Sequence, residues 1–186
     1  MTLTDEILAM FQKRGSEAYF GEDVSVTEHA LQAAYFARAA AAPPVLIVAA
    51  LLHDIGHLVD DVPDDISEWA TDAHHEEVGA RWLANRFRPE ISEPVRLHVP
   101  AKRYLLATDA RYFAKLSPAS IITLKLQGGP MAATEVARFE AEPFHKDAVR
   151  IRHWDDQGKV AGLKTPQLQD YCALIEELAA NTPRNI

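Results

Sequence analysis

The sequence is poor in the features that mark disulfide-bonded, secreted and membrane-spanning proteins. Among 186 residues only Cys172 is a cysteine, so neither an internal disulfide nor a cysteine-based zinc site can form. The longest uncharged run, residues 39–52, is interrupted by two prolines and is too short to cross a bilayer. Asp5 and Glu6 stand where a secretory signal would carry basic residues. We therefore expect a cytoplasmic protein without a membrane partner, in which any metal is bound by nitrogen and oxygen.

Positive charge is also scarce, above all in the first part of the chain. The formal net charge is −8, and residues 1–75 contain 3 lysines and arginines against 13 aspartates and glutamates. Residues 76–186 contain 16 against 14. A chain without a broad basic face is not a general nucleic-acid binder. The distribution favours cation binding by the first part and anion binding by the second, although two solvated faces would give the same counts.

Alternating strand patterns are rare, whereas helical spacing runs through almost the whole chain. The sequence predicts a first helix capped by Thr4 and ended by Gly15, and a second helix opened by the capping box of Ser25 and Glu28. The same spacing predicts later helices at residues 76–87, 93–104, 109–115, 118–126, 134–141, 145–154 and 166–180. A chain of this length forms one core, so we expect a single-domain, all-α helical bundle over residues 1–186.

The third predicted helix, residues 45–55, is apolar all round and therefore central. Two prolines suit its first turn, and Gly56 is expected to end it. The acidic residues 60–72 that follow are expected to form an exposed loop or lid.

His53 and Asp54 lie at the end of this apolar helix, where both are costly to bury without a partner. Other segments supply further imidazoles and carboxylates: His29, His74 or His75, His98, and Asp155 or Asp156. Together they form a donor set suited to iron, manganese or zinc. A carboxylate can bridge two ions while the adjacent histidine binds only one, so the pair favours a dinuclear centre. His57 stays near this site only if the helix continues past Gly56.

These residues, with the run Leu51-Leu52-His53-Asp54-Ile55-Gly56-His57, resemble the HD-domain superfamily of metal-dependent α-helical proteins, most of which are phosphohydrolases. Four further motifs are similar to one group within it: Tyr19-Phe20-Gly21-Glu22, His98-Val-Pro-Ala-Lys102-Arg103, Ser117-Pro-Ala-Ser120 leading to Gln127-Gly-Gly-Pro130, and Arg150-Ile-Arg152-His-Trp-Asp155-Asp156. That group is the PhnZ-like mixed-valent di-iron oxygenases of phosphonate catabolism, including the trimethylaminoethylphosphonate branch. The resemblance covers about residues 15–170.

The resemblance implies an Fe(II)/Fe(III) pair with O2 as co-substrate. The implied ligands are His29, His53, Asp54 and Asp155 for one iron, with Asp54 bridging to a second iron held by His75 and His98. Tyr19 would coordinate iron in the resting enzyme and leave when the substrate arrives. Glu22 would pair with the substrate's amino or ammonium group, and five residues would contact the phosphonate: His57, Lys102, Ser120, Gln127 and Arg152. Lys102 and Arg152 are also suitable donors to a dianion on chemical grounds alone.

The implied reaction is oxidative cleavage of the C–P bond in a small-molecule organophosphonate, 1-hydroxy-2-(amino or trimethylammonio)ethylphosphonate. The products are glycine or glycine betaine and phosphate. A quaternary ammonium prefers aromatic faces, which Tyr19, Phe20, Tyr104 and Tyr112 could provide. A primary ammonium prefers a carboxylate. Both substrates remain open from sequence, and we favour the primary amine.

Two alternatives remain from sequence. One is an HD-type metal-dependent phosphohydrolase, which would leave the segment of Tyr19 and Glu22 without a use. The other is a non-catalytic binding domain with a vestigial site. The sequence predicts no oligomeric state and gives no role to His145 or His153.

Overall fold

The computed structural model describes residues 2–59 and 75–179. Within these ranges the chain forms ten α-helices: α1 Leu3–Arg14, α2 Val26–Ala39, α3 Pro44–Leu51, α4 His75–Ala84, α5 Pro89–Arg96, α6 His98–Thr108, α7 Pro118–Leu126, α8 Ala133–Glu140, α9 His145–Gln157 and α10 Cys172–Leu178. Short 3-10 helices occur at Ile55–Leu58, Phe113–Lys115 and Leu168–Tyr171. The same ranges contain no β-strand beyond two isolated bridges, so the predicted all-α fold is confirmed. None of the described helices is long and apolar enough to span a membrane.

Helix α3 forms the centre of the bundle. Six of its eight residues are buried, and α2, α5, α9 and α10 pack around it. Because apolar side chains cover every face of α3, the residues that follow it begin at the middle of the core. This position explains how a histidine and an aspartate directly after α3 become fully enclosed.

Two predicted helix ends are confirmed and two are wrong. Ser25 and Glu28 form the expected capping box, and Gly15 caps the end of α1. The cap of α1 is Thr2 rather than Thr4, because the Thr2 hydroxyl accepts the Asp5 amide while the Thr4 hydroxyl donates to Glu176.

Helix α3 ends at Leu51, four residues earlier than predicted, and Gly56 does not terminate it. Gly56 instead lies in the 3-10 helix Ile55–Leu58, whose backbone touches the start of α4. A Cβ at this position would lie 2.0 Å from the carbonyl oxygen of His75. Gly56 is therefore needed for a close approach between two backbone segments.

The predicted helix over 93–104 is divided at Leu97 into α5 and α6, which makes His98 the first residue of a helix. The predicted lid, residues 60–72, and His74 lie outside the described residues. The single-domain assignment of residues 1–186 stays a prediction.

Candidate metal centre and adjoining cavity

Four histidine rings from four separate elements meet in the core. His29 belongs to α2, His53 to the turn after α3, His75 begins α4, and His98 begins α6. All four are buried. The Nε2 atoms of His29 and His53 are 3.1 Å apart, and those of His75 and His98 are 3.2 Å apart. The rings thus form two pairs in which the same ring nitrogens face each other.

Asp54 lies between the two pairs. Its Oδ2 atom is 3.3 Å from Nε2 of His53 and 3.5 Å from Nε2 of His29. Its Oδ1 atom is 3.3 Å from Nε2 of His75 and 3.4 Å from Nε2 of His98. Each oxygen therefore faces one pair of histidines, which is the arrangement needed for one carboxylate to bridge two cations.

Backbone carbonyls determine which nitrogen carries the proton in three of these rings. The Nδ1–H groups donate to carbonyl oxygens: His29 to Gly158 at 2.9 Å, His53 to Ala50 at 2.8 Å and His98 to Val95 at 2.6 Å. A neutral ring that donates through Nδ1 presents a lone pair at Nε2. Two lone pairs 3.1 Å apart cannot hydrogen-bond to each other, and a cation between them removes their repulsion. The donor set therefore fits a metal, with the outer hydrogen bonds typical of metal-binding histidines.

Electrostatics favour an ionised carboxylate among the rings. Burial alone would raise the pKa of Asp54, but the charge on His53 and hydrogen bonds from the surrounding rings lower it well below its usual value. For His53, burial lowers the pKa while the Asp54 carboxylate raises it, and the net change is upward. Burial dominates at His98 and lowers its pKa. Protons therefore compete with a metal for these donors.

Asp155 of α9 adds a second carboxylate to the pair formed by His29 and His53. Its Oδ1 atom is 3.6 Å from Nε2 of His29, and its Oδ2 atom is 4.0 Å from Nε2 of His53. Burial opposes its ionisation, but the charges of Arg152 and Lys159 lower the pKa of Asp155 far below its usual value. Oδ1 is buried and accepts no hydrogen bond from the described part of the chain. A charged, buried oxygen of this kind suits a metal ligand.

Asp156, the sequence alternative to Asp155, serves a different partner. Its Oδ2 atom accepts a hydrogen bond from the hydroxyl of Tyr112 at 2.5 Å, and its carboxylate pairs with Arg152. Arg152 also binds Oδ2 of Asp155 at 2.6 Å. Asp156 and Tyr112 therefore hold the guanidinium that in turn holds Asp155.

A cavity of about 40 Å³ lies beside the second histidine pair. This volume has room for about three water molecules. The metal-centre residues in its wall are Asp54, His75, His98 and Asp155, and the other polar or aromatic side chains in it are Tyr19, Phe20, Glu22, Lys102, Ser120, Thr123, Gln127, Arg152 and Lys159. His29 and His53 are not part of the wall. Of the four histidines, only the second pair meets the cavity, whereas the first position reaches it through Asp54 and Asp155.

Tyr19 covers Asp54 from the cavity side. Its hydroxyl donates to Asp54 Oδ2 at 2.7 Å, and its ring stacks on His29 with centroids 3.8 Å apart. Burial, followed by the charges of Asp54 and Asp155, raises the pKa of Tyr19 well above its usual value. Phe20 and Gly21 follow with φ of 41° and 78°, a left-handed turn that is costly for phenylalanine. Such local strain is common at functional sites.

The residues that the resemblance associates with the phosphonate are divided by the structure. Lys102, Ser120, Gln127 and Arg152 line the cavity, and the buried Lys102 donates to the Thr123 hydroxyl at 2.8 Å. His57 does not belong to the wall, since its ring stacks on His75 at 4.1 Å and packs against Phe20 at 4.6 Å.

The predicted aromatic wall is only half present. Tyr19 and Phe20 line the cavity, but Tyr104 and Tyr112 do not. Tyr104 bonds to Glu140 near the surface, and Tyr112 is buried against Asp156.

Sequence reasoning missed Lys159, which also faces the cavity. Its spacing of four residues from Asp155 was the available signal. That signal is weak, because α9 ends at Gln157 and the position lies beyond the helix.

The chain is similar to a family model and to known proteins over most of its length. Residues 26–155 match the family described as HD domain. A hydroxymethylphosphonate dioxygenase of Gimesia maris is 47% identical over 91% of this chain and 85% of its own length. A glycine-betaine-forming [1-hydroxy-2-(trimethylamino)ethyl]phosphonate dioxygenase of Leisingera caerulea is 43% identical over 95% of this chain and 90% of its own. An uncharacterized protein of Acanthamoeba polyphaga mimivirus is 31% identical over 97% and 83%.

Proposed function

The chain belongs to the HD-domain family, and from the geometry of its site we propose that it is a di-iron dioxygenase that cleaves the C–P bond of a 1-hydroxyalkylphosphonate. The observation that carries the proposal is the position of Asp54 between two histidine pairs, of which one faces a cavity with cationic walls. The substrate class contains hydroxymethylphosphonate and its 2-amino and 2-trimethylammonio relatives. In each case one O2 is consumed, the C–P bond breaks, and a carboxylic acid and phosphate form.

Two iron ions, Fe(II) and Fe(III), fit the nitrogen and oxygen donors of the centre. His29, His53, Asp54 and Asp155 would hold the first, and Asp54, His75 and His98 the second. When bound, the iron pair supplies the redox chemistry with O2 that amino-acid side chains cannot provide.

The cavity residues bind and orient the substrate. Lys102 and Arg152 are buried cations in its wall and match the two negative charges of a phosphonate. Ser120, Thr123 and Gln127 add polar groups along the same wall. These contacts would fix the phosphonate beside the metal centre.

Tyr19 controls access to the first position. Its hydroxyl donates to Asp54 Oδ2, the oxygen that faces His29 and His53, and its ring stacks on His29. We expect the substrate to displace the Tyr19 side chain, which frees this oxygen and exposes the first position. Before that event the phenol excludes solvent from the centre.

The phosphohydrolase alternative is not favoured. Hydrolysis of a phosphate ester gives Tyr19 no task, and the two relatives with named activities are dioxygenases.

The proposal is tested by anaerobic reconstitution with Fe(II), partial oxidation, and parallel measurement of O2 uptake and phosphate release. Each hydroxyphosphonate of the class is assayed separately. We expect one O2 consumed for each phosphate released, and no O2 uptake by a matched sample loaded with zinc. Phosphate release without O2 uptake, or efficient hydrolysis of a simple phosphate ester, would refute the proposal.

A further inference from the structure

The cavity wall contains a third cation, Lys159, in addition to Lys102 and Arg152. Its side chain is 10% exposed, and its Nζ atom donates to the Ser120 hydroxyl at 3.0 Å. The same atom is 3.6 Å from Asp155 Oδ1 and 3.9 Å from Glu22 Oε1. Lys159 therefore lies between the metal centre and the carboxylate that would receive a cationic substrate.

The backbone around Lys159 is fixed on both sides. The carbonyl oxygen of Gly158 accepts the Nδ1–H of His29 at 2.9 Å. Val160 exchanges two hydrogen bonds with the Gln32 side chain, at 2.8 and 2.9 Å. These hydrogen bonds at the two adjacent residues hold the lysine at the cavity, so a ligand could displace its backbone only by breaking them.

Glu22 already has internal partners. Its Oε1 atom accepts the hydroxyl proton of Ser117 at 2.5 Å, and the Ser117 and Ser120 hydroxyls are 3.2 Å apart. Glu22, Ser117, Ser120 and Lys159 thus form a ring of polar contacts in which the one negative charge is matched by one positive charge. Asp155 would hold a metal, and its carboxylate would then be less available to Lys159, which would leave Glu22 as the anionic partner of the lysine.

An ammonium group brought to Glu22 would stand close to the Lys159 ammonium. In a buried site, like charges at this separation repel strongly because little water screens them. A substrate without a cation meets no such repulsion, and the Glu22–Lys159 pair stays intact.

We propose that Lys159 is a specificity-determining residue: by neutralising Glu22 it selects a 1-hydroxyalkylphosphonate whose carbon chain carries no ammonium group, of which hydroxymethylphosphonate is the smallest. The proposal rests on the proposed function and narrows its substrate class. It assigns Glu22 to an internal pair, whereas the family resemblance implied that Glu22 pairs with the substrate's amino or ammonium group.

The test compares the wild type with Lys159→Met, which removes the charge at similar length, and with Lys159→Arg as the charge-preserving control. Dissociation constants of hydroxymethylphosphonate and its 2-amino and 2-trimethylammonio relatives are measured calorimetrically under argon on iron-loaded protein. We expect the wild type to bind hydroxymethylphosphonate about 10-fold more tightly than either relative that carries an ammonium group. Lys159→Met should shift that ratio about 10-fold toward the two ammonium compounds, and Lys159→Arg should keep it.

Two results would overturn the inference. One is a wild type that binds either ammonium-bearing relative as tightly as hydroxymethylphosphonate. The other is a Lys159→Met protein that loses affinity for all three by the same factor, which would make the lysine a general phosphonate contact. If Lys159→Met does not fold, as judged by circular dichroism, Lys159→Gln carries the same comparison because it retains a donor for Ser120.

Oxygen uptake separates this inference from the function on which it rests. Selective binding without oxygen-dependent phosphate release would refute the dioxygenase proposal and keep the role of Lys159. Turnover that favours a substrate with an ammonium group would refute the role of Lys159 and support the dioxygenase proposal. Failure to bind any of the three compounds would refute both.

Discussion

The two halves of the centre use the same chemical groups but are built differently. The first position has four side chains, His29, His53, Asp54 and Asp155, of which the two carboxylates line the cavity and the two histidines do not. Among the described residues the second position has three, Asp54, His75 and His98, and all three line the cavity. The first metal would therefore have more protein ligands, and the second would have a larger share of its ligands at the cavity.

Their outer contacts differ at one residue. Three rings donate Nδ1–H to carbonyl oxygens: His29 and His53 of the first position and His98 of the second. His75 of the second position has its Nδ1 atom 3.6 Å from Oε2 of Glu76, a side chain from its own helix. We infer that the first position holds its metal more tightly than the second.

The largest effect is expected at the residue that the two halves share. Among the residues that the structure describes, Asp54 is the carboxylate that faces both pairs, so in Asp54→Ala iron content should fall from two atoms per chain to almost none. Elemental analysis after anaerobic loading measures this, with Asp147→Ala on the exposed side of α9 as the control. Two irons retained by Asp54→Ala would remove Asp54 from its bridging role.

The second effect distinguishes the halves from each other. His98→Ala leaves the four ligands of the first position untouched, so it should keep about one iron per chain. His29→Ala removes one of these four ligands and should lose iron from the first position. Elemental analysis and Mössbauer spectroscopy of the two variants make the comparison. Equal loss from both would show that the halves do not differ as described.

The third effect concerns the backbone contact that positions His75. Gly56→Ala places a Cβ against the His75 carbonyl and should destabilise the protein by about 1–3 kcal/mol, because backbone atoms must move apart. Gly79→Ala tests the other side of the same contact, where the nearest atom would be 3.1 Å away, and should cost less. Thermal unfolding of the metal-free proteins measures both. A smaller loss in Gly56→Ala than in Gly79→Ala would contradict the steric explanation.

The smallest effect is expected from an outer contact. Glu76→Gln weakens the negative partner of His75, so the second metal should bind about 10-fold more weakly while the first is unchanged. A chelator titration followed in two phases measures this. Glu77→Gln, the exposed neighbour, serves as the control. A change confined to the more tightly bound metal would contradict this prediction, because it would assign the effect of Glu76 to the first position.

Parts of this centre were predictable because they follow from local sequence. A histidine and an aspartate directly after an apolar helix have to be buried, and burial requires a partner. That reasoning located His53 and Asp54 without reference to any fold. It did not predict that α3 ends at Leu51, because the turn that follows depends on contact between Gly56 and the backbone of α4.

Other parts depend on contacts between distant residues and had no local signal. The separation of α5 from α6 at Leu97 turns His98 toward the centre, although the apolar spacing runs through the break. Lys159 reaches the cavity because Gly158 and Val160 are attached to α2, and a helix-based reading does not extend beyond Gln157.

The hydrogen bond from His29 to the carbonyl of Gly158 joins residues 129 positions apart. During synthesis on the ribosome, His29 therefore emerges long before Gly158, whose carbonyl orients its ring, and before Asp155, the carboxylate that accompanies it. A nascent chain can collapse around α3 early, yet the first position is complete only after Asp155 and Gly158 have packed against α2.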